Sequence, residues 1–185
     1  MSIVEARMQE HEQVLEATRA LAPAIQEAGD IIRRALEGGH KVLFCGNGGS
    51  AADAQHLAAE IVGRFQKERP AFPAIALTVD TSILTAVAND YGYETVFKRQ
   101  VEGLGQEGDV FVGISTSGNS ANVINAIGAA RGKGLHVIGL TGIGGGKMAK
   151  LCDVCLAIPS KTTARTQEMH IMIGHILCEI AEEYM

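Results

Sequence analysis

The hydrophobic pattern of this chain changes period after its first forty residues. Two amphipathic stretches come first, Ser2 to about Ala20 and Pro23 to about Leu36. The second has proline in its opening turn and Gly38-Gly39 just past its end, so the pattern predicts two helices. Five short apolar runs then follow: Lys41 to Cys45, Ala74 to Val79, Asp109 to Ser115, His136 to Thr141 and Val154 to Ile158. They are rich in Val, Ile and Leu and bounded by Gly, Pro, Ser or Asp, which predicts strands buried on both faces. Between them lie helical patterns over Ser50 to Phe65, Thr81 to Asn89, Thr95 to Leu104, Asn119 to Lys133 and Gly145 to Leu151, and a last helix is expected from about Thr163 to Tyr184. Strands alternating with helices imply right-handed crossovers and an α/β fold, a doubly wound five-stranded parallel sheet flanked by helices, with the two N-terminal helices as an extension. Ligands of such sheets bind beyond the carboxyl ends of the strands, which narrows the search to the loops that follow them.

Composition narrows the function classes. The chain has 185 residues, 46% hydrophobic and 20% charged, which suits one domain over 1–185 with the helical extension reaching about residue 38. Sixteen Lys and Arg against 21 Asp and Glu give a net charge of −5, too acidic for a face that holds a nucleic-acid backbone. Five Phe, three Tyr and no Trp leave little for base stacking. No apolar run is long enough to span a membrane and the N-terminus is charged rather than signal-like, so the expectation is a cytoplasmic protein with neither a membrane nor a nucleic-acid partner. The cysteines are Cys45, Cys152, Cys155 and Cys178. Cys152-Asp-Val-Cys155 leads into a strand rather than a helix and has no second pair, so it reads as structural thiols rather than a redox or zinc motif.

Glycine is in excess, 22 residues, and much of it sits in strand-to-helix loops. Gly46-Asn47-Gly48-Gly49-Ser50 follows the first strand. It could bring backbone amides and a helix N-terminus to an anion, match a dinucleotide fingerprint with Asp80 as ribose partner, or be a tight turn without a ligand. Ser115-Thr116-Ser117-Gly118-Asn119-Ser120 follows the third strand. Four hydroxyls at a helix N-terminus suit a phosphate group, although helix capping would account for one or two of them. Gly142 to Lys147 fails as a P-loop, because Thr141 occupies the required first glycine and Met148 follows the lysine. No nucleotide cofactor is expected.

Two helices carry polar stripes. His56, Glu60 and Arg64 recur every four residues and share a face, as a solvated surface would also produce. In the last helix Gln167, Ile171 and His175 share a face, and a histidine among Ile and Leu is commonly a hydrogen-bonded core residue. His56, Glu60 and His175 together make an acid, base or metal set that a core alone would not need.

At these residues the chain resembles the sugar isomerase (SIS) fold, a flavodoxin-like arrangement, and within it the phosphoheptose isomerases. The resemblance rests on Cys45 to Ser50, Ala88-Asn89-Asp90, Gly113 to Val123, and Gln167-Glu168-Met169-His170 with His175. It implies an aldose–ketose isomerase that interconverts sedoheptulose 7-phosphate and glycero-manno-heptose 7-phosphate, the first step towards nucleotide-activated heptose for lipopolysaccharide or another surface polysaccharide. By the same resemblance Ser115, Thr116, Ser117 and Ser120 hold the phosphate, while Asn47, Gly48, Gly49, Asn89, Asp90 and Gln167 line the sugar site. Glu60 is then the general base, also in contact with substrate, and His175 the general acid. One zinc ion per subunit on His56, Glu60, Gln167 and His175, and a homotetramer, are implied likewise. Helix geometry sets a condition on that zinc site, because eight residues separate the Cα atoms of Gln167 and His175 by roughly 12 Å. Ala164 stands where some members of the family carry an acidic residue. The alternative is a non-enzymatic SIS protein that binds the bacterial replication initiator; the histidine at 175 favours the enzyme.

Overall fold

A computed structural model describes residues 1–183. Helices α1 (Ile3–Thr18) and α2 (Ala22–Glu37) are joined end to end by a 3₁₀ turn. The strands are β1 (Val42–Gly46), β2 (Ala74–Ala76), β3 (Val110–Ser115), β4 (His136–Thr141) and β5 (Val154–Ala157). The crossover helices are α3 (Gly49–Val62), α4 (Thr81–Tyr91), α5 (Val96–Leu104) and α6 (Ala121–Gly132), and α7 (Thr163–Glu182) follows β5. All strand pairs are parallel and the order is β2-β1-β3-β4-β5, so the expected doubly wound sheet is present.

The sheet separates two cores because successive side chains of a strand point to opposite faces. Val42 and Phe44 of β1 and Val110, Val112 and Ile114 of β3 pack under α2, α3 and α7. Leu43, Cys45 and Phe111 pack on the other face with α5 and α6. Every residue of β1 and β3 is buried, which is why these strands read as continuous apolar runs rather than alternating ones.

Three expectations shift. The second strand stops at Ala76, because Asp80 turns the chain by accepting a hydrogen bond from the backbone N–H of Ile83 as the cap of α4. The helix expected over Gly145 to Leu151 is a single 3₁₀ turn, Met148–Lys150, since Gly144, Gly145 and Gly146 all take positive φ. The last helix is described as far as Glu182; Tyr184, its expected end, lies outside the described residues. Among the described residues no helix is long and apolar enough to cross a membrane.

Candidate active site

Strand order reverses between β1 and β3, so the loops after these two strands flank the crevice at their carboxyl ends. A reciprocal amide pair ties the loops together: Asn47 Nδ2 donates to Asn122 Oδ1 at 2.9 Å and Asn122 Nδ2 returns a bond to Asn47 Oδ1 at 2.8 Å. The Tyr93 hydroxyl donates to the same Asn47 oxygen at 3.0 Å. Asn47 is thus a strut between loops as well as part of the crevice. Gly48 has φ +58°, which only glycine adopts without strain, and it sets the sharp entry into α3. Gly49 lies directly under the Gln167 amide, at a distance where a Cβ would collide with Nε2.

The hydroxyl loop after β3 is organised around Ser115. Its Oγ lies 2.8 Å from that of Ser120 and 3.4 Å from that of Ser117. Ser120 occupies the N-cap of α6, yet its side chain makes no capping bond, so helix capping does not account for it. Ser117 accepts a hydrogen bond from the backbone N–H of Asn119. Thr116 and Ser117 also line a cleft of about 360 Å³ with Ser160, Lys161 and Thr166, which follow β5. Asn89 and Asp90 stand exposed at the end of α4 and bond to each other at 2.8 Å.

The polar stripes of α3 and α7 meet. A Cβ on Gly174 would come within 2.6 Å of Leu57, so glycine there lets the two helices approach closely. The residues next to this contact are His175 and His56. Their Nε2 atoms lie 2.9 Å apart, and the Glu60 carboxylate is 3.4 Å from His56. The His175 ring meets His56 edge-on and stacks on Phe65 at 5.4 Å between centroids. Arg64, third in the stripe, pairs instead with Glu68 at the surface. One donor atom from each of His56, Glu60 and His175 falls within 4.8 Å of the others, and two imidazole nitrogens with one carboxylate oxygen form a donor set that suits zinc. Gln167 lies about two helical turns from His175, over Gly49.

Burial adjusts two neighbouring groups. Asp53, one turn before His56, is raised by desolvation against the opposing pull of His56, and its Oδ2 is buried without a hydrogen-bond partner. His170 is fully buried; desolvation lowers it to about 4, against its bond at 3.0 Å to the Thr141 carbonyl, so it is neutral at pH 7 and serves the core. Phe65, Tyr93 and Asn122 are site neighbours that the sequence reading had not assigned. Asn122 lay inside a motif already quoted, but nothing in the sequence marks which loop its amide meets.

The SIS domain family profile matches residues 8–142. The chain belongs to the SIS domain family. Within it the relatives are phosphoheptose isomerases: that of Rhodospirillum rubrum is 60% identical over 162 residues, 88% of this chain and 86% of that protein. Phosphoheptose isomerase 1 of Campylobacter jejuni is 54% identical over 183 residues, 99% of this chain and 98% of its own. The solved phosphoheptose isomerase of Neisseria gonorrhoeae superposes with a TM-score of 0.92 at 47% identity, covering 97% of each chain.

Proposed function

We propose that the protein is a sedoheptulose 7-phosphate isomerase that forms glycero-manno-heptose 7-phosphate for nucleotide-activated heptose and surface polysaccharide. The observation that carries this reading is one carboxylate and two imidazoles gathered where α3 and α7 meet, all at least partly exposed, in a chain this similar to phosphoheptose isomerases. Aldose–ketose isomerisation needs a base to take the proton from the carbon beside the carbonyl and an acid to protonate the oxygen, with an enediol between them. Glu60 is the base. His175, held between Phe65 and His56, is the acid.

Ser115, Thr116, Ser117 and Ser120 hold the phosphate at the N-terminus of α6, where unsatisfied amides and the helix dipole favour an anion. Gly48 and Gly49 offer backbone, and Asn47, Asn89, Asp90 and Gln167 offer side chains, to the sugar hydroxyls. His56, Glu60 and His175 would hold one zinc ion per subunit, and a bound zinc would polarise substrate oxygens. Gln167 meets substrate at the Gly49 end of the groove. The exposed Ile3, Val4 and Met8 of α1 favour a homotetramer in which a neighbouring subunit closes this groove. The whole chain is one SIS domain acting in the cytoplasm.

Purified protein should convert sedoheptulose 7-phosphate and turn over unphosphorylated sedoheptulose far more slowly; equal rates on both, or none on the phosphate, would end the proposal. Ser120→Ala should raise KM by about 20-fold with kcat nearly kept, the loss of one hydrogen bond to a charged phosphate. A chelator should lower the melting temperature and zinc should restore it, whereas His175→Ala should respond to neither. An unchanged melting curve for the parent protein would remove the metal from the site.

A further inference from the structure

The cysteine pair that the sequence assigns to structure is placed for chemistry. Cys45 and Cys178 are buried and inert, since desolvation raises both thiols. Cys152 and Cys155 are partly exposed and reduced. Cys155 pairs in register with Gly139 of the neighbouring strand, and Cys152 Sγ lies over Gly139 so closely that a Cβ there would come within 2.7 Å of it. Glycine at 139 therefore seats the two thiols side by side on one face of the sheet. The contact with Cys152, opposed by burial and aided by the Thr141 hydroxyl at 3.5 Å, lowers Cys155 to about 6, and the same contact pushes Cys152 up. A low thiol with a partner thiol beside it fits a nucleophile and its resolving cysteine.

The pair also touches the substrate machinery. A Cβ on Gly145 would lie 3.3 Å from Cys155 Sγ. The loop containing Gly145 supports the hydroxyl loop: Gly142 N–H donates to the Thr116 carbonyl at 3.0 Å, Met148 N–H to the Gly118 carbonyl at 3.1 Å, and Lys147 N–H to Asn119 Oδ1 at 3.1 Å. Gly118 and the Gly145 carbonyl are in direct contact, with no room for a side chain between them.

We propose that Cys152 and Cys155 are a reversible modification site, oxidised by a small-molecule disulfide to an intramolecular bridge that disturbs the 142–148 loop and weakens phosphate binding. The Cys155 thiolate attacks one sulfur of the small disulfide, giving a mixed disulfide and expelling one thiolate, which takes up the proton Cys155 gave up. Cys152 then loses its proton and displaces the second thiol, so two electrons and two protons pass from the pair to the oxidant. An excess of small thiol reverses both steps. The link to KM rests on the phosphate assignment above, whereas formation of the bridge does not.

The test incubates the full-length protein with oxidised glutathione and follows intact mass, a peptide map and kinetics on sedoheptulose 7-phosphate. Expected are the loss of two hydrogens, a Cys152–Cys155 linked peptide, and a KM raised by about 20-fold, as for one lost hydrogen bond to a charged phosphate, reversed by dithiothreitol. Cys152→Ser and Cys155→Ser should keep the basal KM and show no oxidative shift. Thiols that stay free, glutathione adducts without a bridge, or a mapped bridge with unchanged KM would each overturn the inference. Because the map is read without substrate, and Ser120→Ala in the reduced protein probes the phosphate loop separately, failure of the bridge and failure of the phosphate assignment are distinguishable.

Discussion

Glu60→Gln is expected to lower kcat by about 10³-fold while the protein stays folded, in line with the usual loss when a general base is removed. Glutamine keeps the shape of the side chain, but its amide oxygen is too weakly basic to take a proton from carbon. Glu60 is half-buried and its carboxylate lies 3.4 Å from His56, so little of the core depends on it. Two measurements separate the roles of this residue. Exchange of substrate hydrogen with solvent should stop if Glu60 is the base, and metal content should fall if it is also a ligand. Turnover of the variant at the parent rate would remove Glu60 from the chemistry altogether.

Glu182→Ala should be the most damaging substitution for stability, costing about 3–5 kcal/mol, the range for removing one member of a buried ion pair. Glu182 is 1% exposed at the end of α7. Its carboxylate accepts the backbone N–H groups of Phe65, Gln66 and Lys67 at 2.7 to 2.9 Å and the Arg69 Nε at 2.8 Å. Arg69, itself buried, also donates to the Glu60 carbonyl, so one carboxylate holds α7, the 63–73 loop and the end of α3 together. Removal leaves a buried guanidinium and three backbone donors without their acceptor. For a chain of this size the loss corresponds to a fall in melting temperature of about 10 °C. Catalysis should suffer as well, because Phe65 is carried by this loop and stacks on His175. A variant melting within a degree or two of the parent would show that the loop is held by something else.

The same carboxylate predicts acid sensitivity. Burial alone would raise Glu182, but the three backbone donors and Arg69 overcome it and hold the group at about 2, against an ordinary value of 4.5. A depressed carboxylate stabilises the fold fully above pH 4.5, and that contribution is lost as pH falls towards 2. Its size is about 3 kcal/mol from the shift. Acid unfolding of the parent should therefore be steep in this window, and Glu182→Gln, which cannot titrate, should flatten it.

The five strands, their parallel doubly wound arrangement and the identity of the loops could be read from the sequence alone, whereas the strand order and the division into two cores came with the structure. Continuous apolar runs such as Val42 to Cys45 belong to strands covered on both faces, and the return of helical periodicity after each run fixes the crossovers. The four hydroxyls from Ser115 to Ser120 and the stripe of His56 and Glu60 were legible for the same reason, since local spacing decides which residues share a loop or a face. Contacts between elements distant in sequence were not legible. The sequence groups His56, Glu60 and His175 but does not show that Gly174 admits Leu57 to bring their helices together, that Glu182 caps a loop more than a hundred residues earlier, or that Gly139 leaves room for Cys152 beside Cys155. Each depends on the absence of a side chain, or on a backbone donor, on a different element. Periodicity encodes which face of an element is buried, and only tertiary packing decides what that face meets.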